Sequence, residues 1–287
     1  MNKGSFCISI DLELAWGNWD ALTPDYLERC AAQERHIVAR LLEQFNRYDI
    51  CATWAIVGHL MRQPDKNLPG DATAWFAPDL IESILKSATP QQTGSHSFSH
   101  RYFPDMTAEE ARSEISSARD LHAKHGLGFR SFVYPRNQIA HRDVLLDAGI
   151  RLYRGLDQGW HARAFRFGAA AGKLANLADK AIPLAPAIVH PFKFSDGLTE
   201  LPSSMLLMGR NGMRKLVHPS ILAVKAKQGL RRASQTGGIF HLWFHPSNFY
   251  FETDVQFGIL EEILKEAHRM AGRGTLVTLP MEAYASA

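Results

Sequence analysis

The sequence has few cysteines, almost no excess of charge and no long apolar run. Its three cysteines, Cys7, Cys30 and Cys51, form no C-x-x-C pair and no even framework, which predicts reduced, mostly buried thiols. The formal net charge of +3 is too small to indicate a nucleic-acid or anionic-membrane partner. No stretch is long enough to span a bilayer and no secretory signal precedes the first apolar segment, so we expect a cytoplasmic protein.

Glycine-rich phosphate-binding motifs are also absent. Neither G-x-G-x-x-G nor G-x-x-x-x-G-K-[ST] occurs, so a nucleotide-phosphate site is not expected. Internal repeats, low-complexity segments and proline-rich or serine-rich linkers are missing as well. The 287 residues, of which 46% are hydrophobic, are enough for a substantial core, and we expect one domain over residues 1–287.

What the sequence does contain is a repeated alternation of short apolar strands with amphipathic helices. A T-x-x-E capping box at Thr107 to Glu110, for example, marks the start of one helix. We predict strands at 5–12, 51–57, 93–96, 129–134, 150–153, 239–245 and 275–280, and helices at 24–47, 77–87, 107–125, 142–148, 218–235 and 254–271. Residues 188–204 read as extended and 160–180 as a helical or loop excursion. This pattern predicts an α/β fold with a parallel sheet, and about seven units favour a closed barrel over a doubly wound sheet.

Reactive side chains lie at four predicted strand ends, the first being S-I-D-L-E with Asp11 and Glu13. Side chains two residues apart on a strand point to the same side, so both carboxylates could face one site. Two adjacent carboxylates are costly unless a cation or a proton neutralises them. The alternative is that one carboxylate caps the next loop and the other is exposed.

The second strand end is H-S-F-S-H, where His96 and His100 are four positions apart. Neutral imidazoles at this spacing can share a metal ion if the segment is helical or tightly turned. No cysteine lies near them, so an open site with two histidines and one carboxylate fits better than a closed structural zinc site. The alternative is a surface loop with two unrelated histidines.

The third strand end, F-V-Y-P-R-N-Q, offers Arg136 and Asn137 as donors to an oxyanion or to substrate hydroxyls. The alternative is a turn with a solvated arginine. At the fourth, H-L-W-F-H-P, the alternation puts His241, Trp243 and His245 on one strand face. His245, at the strand end, suits a general acid acting on a sugar, whereas the deeper His241 reads as a core residue.

The order and spacing of these strand ends resemble the polysaccharide deacetylase family, carbohydrate esterase family 4. The family motif H-[ST]-x-x-[HS] resembles residues 96–100, its A-T-F-F strand resembles 52–58, and its last histidine resembles His245. D-L-E is similar to the D-V-E form of the first motif, and T-L-V-T-L-P-M-E to the final strand. The similarity runs from about residue 5 to residue 284.

This resemblance implies a distorted seven-stranded parallel (β/α) barrel that binds a divalent metal, most often zinc, and deacetylates a carbohydrate. His96 and His100 would be metal ligands, together with one carboxylate of the first motif. The other carboxylate would take a proton from the attacking water, and His245 would protonate the departing amine or alkoxide. We assign Asp11 as the ligand and Glu13 as the base, with the reverse assignment as the alternative.

The sequence departs from the family's usual pattern in the first and third motifs. Leu12 stands where the usual first motif has its second, metal-binding aspartate. Val133 stands where the third motif, R-x-P, has its arginine; Arg130 and Arg136 are candidate replacements, and Arg136, nearer the strand end, is taken as catalytic. The segment 157–160 is a candidate for the fourth motif, D-x-x-W. The expected substrate-binding residues are Trp16, Tyr134, Asn137 and Trp243.

Three functions are compatible with these observations. The first is metal-dependent deacetylation of a carbohydrate, in surface-polysaccharide metabolism within the cytoplasm. The second keeps the barrel but hydrolyses the C–N bond of a small cyclic amide, as relatives of this fold do. The third is a barrel without catalysis that binds a glycan or a partner protein, which the missing second aspartate and the displaced arginine would explain. The oligomeric state stays open.

Overall fold

The computed structural model describes residues 3–64, 67–158 and 182–285, which form a ten-stranded, strongly curled sheet with helices packed on it. The strands are β1 (Gly4–Leu12), β2 (Thr53–Ile56), β3 (Gln92–Ser95), β4 (Ser131–Phe132), β5 (Leu152–Asp157), β6 (Phe192–Lys193), β7 (Thr199–Ser203), β8 (Met205–Leu206), β9 (Ile239–Phe244) and β10 (Leu276–Thr278). The helices within these ranges are α1 (Pro24–Tyr48), α2 (Pro78–Leu85), α3 (Ala108–Lys124), α4 (Asp143–Asp147), α5 (Pro219–Thr236) and α6 (Thr253–Gly272).

The strand order is β6-β7-β5-β4-β3-β2-β1-β9-β8, with β10 also paired to β1. All of these pairings are parallel except that between β6 and β7. β7 pairs with β5. The residue after β7, Ser204, donates its backbone N–H to the carbonyl oxygen of His241 in β9, and β8 pairs with β9. The two ends of the sheet therefore approach each other, and the carboxyl ends of the strands converge on one side.

The predicted α/β class and distorted parallel barrel are confirmed. The described residues contain ten strands rather than the seven predicted. β6 and β7 lie in the stretch 188–204, which was predicted only as extended, and β8 is a two-residue pairing that the hydrophobic pattern does not reveal. The excursion predicted at 160–180 lies outside the described residues, as does Trp160 of the fourth-motif candidate. None of the helices in the described ranges is long and apolar enough to cross a membrane.

Helix boundaries follow from local capping chemistry. α1 begins behind Thr23, whose hydroxyl accepts the N–H of Tyr26, and ends at Asp49, which adopts a left-handed conformation. α3 begins at the predicted capping box, since the side chains of Thr107 and Glu110 each accept the other residue's backbone N–H. These caps satisfy backbone N–H groups that a helix leaves unpaired at its start.

The two faces of β1 have different environments. Its even-numbered side chains (Phe6, Ile8, Ile10, Leu12) belong to the main apolar cluster formed with the helices. On the other face, Cys7 packs inside the curl with residues of other strands, among them Ala55 and Ile239. Ser9 and Asp11 follow on this inner face, because side chains alternate along a strand. The interior is therefore apolar near the start of the strands and polar near their carboxyl ends.

Candidate metal centre and active site

Five side chains from three strand ends meet at the carboxyl side of the sheet. Glu13 Oε2 lies 3.3 Å from His96 Nε2 and 3.0 Å from His100 Nε2. His245 Nε2, behind β9, lies 3.5 Å from Asp11 Oδ2 and 3.5 Å from Glu13 Oε1. The structure thus brings together the two predicted carboxylates and the three histidines of the H-S-F-S-H and H-L-W-F-H segments.

The H-S-F-S-H segment is a tight turn and not a helix. Ser97 and His100 adopt left-handed backbone conformations with φ values of 65° and 61°, and the Ser97 hydroxyl accepts the backbone N–H of His100 at 3.0 Å. Glu114 of α3 accepts the backbone N–H groups of Phe98 and Ser99 at 3.0 and 2.5 Å. Strained conformations of this kind persist where the surroundings enforce them, and here a buried carboxylate does so.

Two glycines allow the close approaches that the site needs. At Gly58, a Cβ atom would lie 3.0 Å from the backbone of Phe98, so this residue lets β2 pass beside the histidine turn. At Gly17, a Cβ atom would lie 2.0 Å from Glu13 Oε1, which is a direct overlap. Gly17 therefore leaves the space that the Glu13 carboxylate occupies.

Glu13, His96 and His100 fit a divalent metal ion. All three side chains are buried, and one ligand atom from each lies within 4.8 Å of the others. His96 Nδ1 lies 2.8 Å from the carbonyl oxygen of Val133, which can only accept, so Nδ1 carries the proton and Nε2 is left with a lone pair. Neither ring nitrogen of His100 has a well-directed hydrogen bond among the described residues, although the ring is buried. A buried polar nitrogen without a hydrogen bond requires another partner, and a metal ion shared with the neighbouring carboxylate provides one.

Asp11 has a different partner, Arg154 of β5. Arg154 Nη1 donates to Asp11 Oδ1 at 2.7 Å and Nη2 donates to Oδ2 at 2.6 Å. Both side chains are almost fully buried, and the guanidinium lies 4.3 Å from the centre of the Trp243 ring. Such a two-point contact fixes the carboxylate plane and keeps both Asp11 oxygens occupied from one side.

Burial by itself would raise the pKa of both carboxyl groups, but the neighbouring arginine and histidine side chains outweigh it. Arg154, His96 and His245 hold the pKa of Asp11 below its ordinary value, and the three site histidines hold the pKa of Glu13 well below it. Burial lowers the pKa of His100, whereas the two carboxylates overcome burial and raise the pKa of His96. Both carboxylates are therefore ionised at neutral pH, as a metal ligand and a proton acceptor must be.

A cavity of about 440 Å³ opens above these groups. Asp11, Glu13 and His245 line its base, and Arg136, Asn137 and Trp243 contribute to its wall. Tyr26, Tyr250 and Phe251 extend the wall away from the carboxylates. A mixed polar and aromatic wall of this size suits a ligand with hydroxyl groups and an apolar ring face.

Arg136 turns toward the loop behind β1 and not toward Asp11. Its Nη2 donates to Asp20 Oδ1 at 2.9 Å and to Asn18 Oδ1 at 3.2 Å. Asn137 points inward, and its Oδ1 accepts from Arg154 Nη2 at 3.0 Å. Both residues have positive φ values, 52° and 54°, so the turn that carries them has a left-handed backbone conformation at two consecutive positions.

Trp16 and Tyr134, two of the expected substrate-binding residues, are packed in the protein. Trp16 stacks on His59 with ring centres 4.2 Å apart and donates its indole N–H to the carbonyl of Trp75. Tyr134 is fully buried, with its ring edge-on to Phe103 at 5.1 Å. Neither is among the described residues that line the cavity. Trp243 does line it, and donates its indole N–H to Asp157 at 2.9 Å.

The sequence interpretation missed Arg154 and Glu114. Arg154 lies in L-Y-R-G-L-D, where an arginine in the middle of an apolar strand was a signal, because a buried cation requires an acidic partner. Glu114 lies on the core-facing side of α3 and gives a weaker signal. The arginine that contacts Asp11 thus comes from β5, the strand that follows the third-motif segment.

Residues 21–151 of the chain match the polysaccharide deacetylase family model. Among solved structures, a Mycobacterium smegmatis protein assigned to the polysaccharide deacetylases aligns with a TM-score of 0.70 at 15% identity, over 99% of this chain and 90% of its own. A Pseudomonas aeruginosa PAO1 protein with the same assignment aligns with a TM-score of 0.63 at 12% identity, over 98% and 89%. A carbohydrate esterase family 4 pseudoenzyme from Bacillus anthracis aligns with a TM-score of 0.50 at 15% identity, over 99% and 66%.

At these identities the structural matches show a shared fold. A comparison with curated protein sequences gives no match. The family model covers the first strand-to-helix loop through the H-S-F-S-H turn to the start of β5, which includes two of the three candidate metal ligands. Residues 21–151 are therefore similar in sequence to the polysaccharide deacetylase family, and the chain shares the fold of the two polysaccharide deacetylase structures.

Proposed function

We propose that the protein is a metal-dependent hydrolase that removes an acetyl group from a carbohydrate. The observation that carries this proposal is the buried group of Glu13, His96 and His100, of which Glu13 lines the cavity. Asp11 and His245 lie beside this group, with Asp11 Oδ2 and His245 Nε2 3.5 Å apart, which supplies a proton acceptor and a proton donor for hydrolysis.

We assign Glu13 as the third metal ligand and Asp11 as the base, the reverse of the assignment favoured from sequence. Only Glu13 reaches both histidines within 3.3 Å, while both oxygens of Asp11 are held by Arg154. The longer glutamate side chain extends past the strand end to the turn that carries His96 and His100. Zinc is the metal that this donor set most often holds.

A divalent metal held by Glu13, His96 and His100 would polarise the acyl carbonyl group and lower the pKa of water. Asp11, kept ionised by Arg154, accepts a proton from the attacking water through the lone pairs that face the cavity. His245 lies on the other side of Asp11 and is open to the cavity, so it protonates the departing nitrogen or oxygen. Trp243 and Asn137 position the sugar ring, and Arg136 stabilises the loop at the rim.

The cellular setting that we propose is surface-polysaccharide metabolism within the cytoplasm. All three cysteines are unpaired in the structure, which suits a reducing compartment. A cytoplasmic enzyme of this kind would act on a precursor of the polysaccharide before export.

The test combines metal analysis with product analysis. The purified wild-type protein should contain a stoichiometric divalent metal by plasma mass spectrometry and should release acetate from some members of a panel of N-acetylated and O-acetylated sugars. His96→Ala should lose both metal and activity. His36→Ala is the matched control, since His36 is exposed on α1, and should keep both.

Other results would redirect the assignment. A folded wild-type protein that binds no metal contradicts the proposed mechanism. Ring opening of small cyclic amides without acetate release would favour the second function. Metal binding and glycan binding without turnover would favour a barrel that has lost catalysis, as in the Bacillus anthracis pseudoenzyme with the same fold.

A further inference from the structure

Below the candidate site, a chain of buried hydrogen bonds connects Asp11 to His241. It runs from Asp11 through Arg154 and Ser9 to His241, and each of these four residues is at most 2% exposed. The residues come from β1, β5 and β9, so the chain crosses the inside of the curled sheet. The reaction scheme above uses Asp11 and Arg154 but gives no role to Ser9 or His241.

The direction of the hydrogen bonds at His241 is fixed by its two partners. His241 Nδ1 lies 3.0 Å from the carbonyl oxygen of Pro202, which can only accept, so Nδ1 carries the proton. Burial, reinforced by Arg154, lowers the pKa of His241 to about 3, and the ring is neutral at physiological pH. Nε2 must then accept from the Ser9 hydroxyl, 2.9 Å away. The Ser9 oxygen is left with lone pairs only for its other neighbours.

This arrangement presents Ser9 to Arg154 as an acceptor. Arg154 Nη1 donates to Ser9 at 3.1 Å and to Asp11 at 2.7 Å, while Nη2 donates to Asp11 at 2.6 Å and to Asn137 at 3.0 Å. Each terminal nitrogen has two N–H groups, so all four are used. Ser9 and Asn137 flank the guanidinium on either side, and the two central N–H groups point at Asp11.

We propose that Ser9 and His241 are positioning residues, which hold the Arg154 guanidinium in the orientation that presents both of its central N–H groups to Asp11. The proposal rests on the proposed function for the role of Asp11 as base. If Ser9 were free to rotate its hydroxyl proton toward Arg154, it would repel the guanidinium. His241 prevents this because its Nε2 accepts the hydrogen bond that the Ser9 hydroxyl donates.

A matched pair of substitutions separates positioning from simple packing. In His241→Gln the side-chain oxygen reaches the place of Nε2 and still accepts from Ser9. In His241→Asn the shorter amide keeps the bond to Pro202 and loses the one to Ser9. We expect His241→Asn and Ser9→Ala to lower kcat about 10- to 100-fold with KM and metal content unchanged. His241→Gln and Ser9→Thr should retain most of the wild-type kcat.

Equal kcat values for His241→Asn and His241→Gln, or a change confined to KM, would overturn the proposal, because positioning requires the acceptor for Ser9 that only glutamine supplies. If His241→Asn does not fold, Ser9→Ala carries the kinetic test, since alanine fits the space of serine. A crystal structure of Ser9→Ala gives a readout that is independent of activity. We expect the two-point contact of Arg154 with Asp11 to be lost or rotated, and an unchanged contact contradicts positioning. An inactive wild-type protein would defeat only the proposed function.

Discussion

Asp11 and Arg154 form a buried two-point ion pair between β1 and β5, with N–O distances of 2.7 and 2.6 Å. The third motif of the family has its arginine where this chain has Val133, behind β4, and Arg154 reaches the aspartate from the next strand of the sheet. The contact means that the negative charge of Asp11, in the first motif, is balanced by Arg154 of β5. It also separates Asp11 chemically from Glu13, which is surrounded by histidines.

Removal of the cation should destabilise the fold. Arg154→Met leaves Asp11 as a buried charge without its partner, and we expect a loss of about 3–5 kcal/mol in the free energy of unfolding, measured by urea denaturation. Arg119→Met, an exposed arginine on α3, should change it by about 0.5 kcal/mol or less. Combining Arg154→Met with Asp11→Leu should recover much of the loss. Equal effects of the two single substitutions would contradict a buried pair.

The roles of the two carboxylates can be separated by isosteric substitutions. Glu13→Gln should lose the metal, because an amide is a weaker ligand than a carboxylate and brings no charge to two histidines. Asp11→Asn should keep the metal and lose about 10²- to 10⁴-fold in kcat, because the amide accepts no proton from water. Metal content and turnover are measured on the same preparations. Metal loss in Asp11→Asn with metal retention in Glu13→Gln would restore the assignment favoured from sequence.

Gly17 should be required for metal binding although it carries no ligand. In Gly17→Ala the new methyl group would overlap Glu13 Oε1, so the carboxylate must leave its position beside the histidines. We expect weaker metal affinity, measured by competition with a chelator. Gly258→Ala is the control, since nothing lies within 4 Å of the added atom. Equal affinities for the two variants would show that Glu13 has room to move.

Trp16 should be structural and not substrate-binding. It packs against the main core through His59 and Trp75, so Trp16→Ala should cost about 3 kcal/mol of unfolding free energy. Trp19→Ala removes the same ring from a position that is 45% exposed and should cost much less. Thermal and urea unfolding of the two variants check this. A stable Trp16→Ala protein with a raised KM would favour the substrate-binding role expected from sequence.

The long strands and helices, and the clustering of the reactive strand ends, could be predicted from the sequence. Periods of two and 3.6 residues, together with caps such as Thr107, place the long strands and helices because they record burial directly. The sequence also predicts that Asp11, His96 and His245 lie close together, because parallel strands end on one side of a sheet. This logic needs no knowledge of side-chain conformations.

The roles within the group could not be read from the sequence in the same way. The choice between Asp11 and Glu13 depends on which one faces a cation from β5, and that pairing is set by the curl of the sheet. The packing of Trp16 and the outward turn of Arg136 depend on loops whose conformations follow from contacts distant in sequence. Sequence patterns report burial and periodicity, and contacts between distant loop residues produce no periodic pattern that would reveal them.

Glu34 on α1 gives a pH-dependent test of the core. It is 1% exposed and accepts a hydrogen bond from the hydroxyl of Tyr250 at 2.5 Å, beside the Cys30 thiol. Burial raises the pKa of Glu34 from its ordinary value of 4.5 to about 7. The folded protein therefore keeps this proton at pH values where the unfolded chain has released it.

The sign of the effect follows from proton binding. Between pH 4.5 and about 7 the folded state binds more protons than the unfolded state at this residue, so the Glu34 contribution to stability falls as pH rises. Above that window the ionised Glu34 lowers the free energy of unfolding by about 3 kcal/mol relative to pH values below it. Glu34→Gln keeps an acceptor for Tyr250 and carries no charge. Its unfolding free energy relative to wild type should therefore rise across this window and level off above it, as measured by urea denaturation at each pH. Glu28→Gln, exposed on the same helix, should show a flat difference, and a flat difference for Glu34→Gln as well would mean that Glu34 is ionised in the folded protein at low pH.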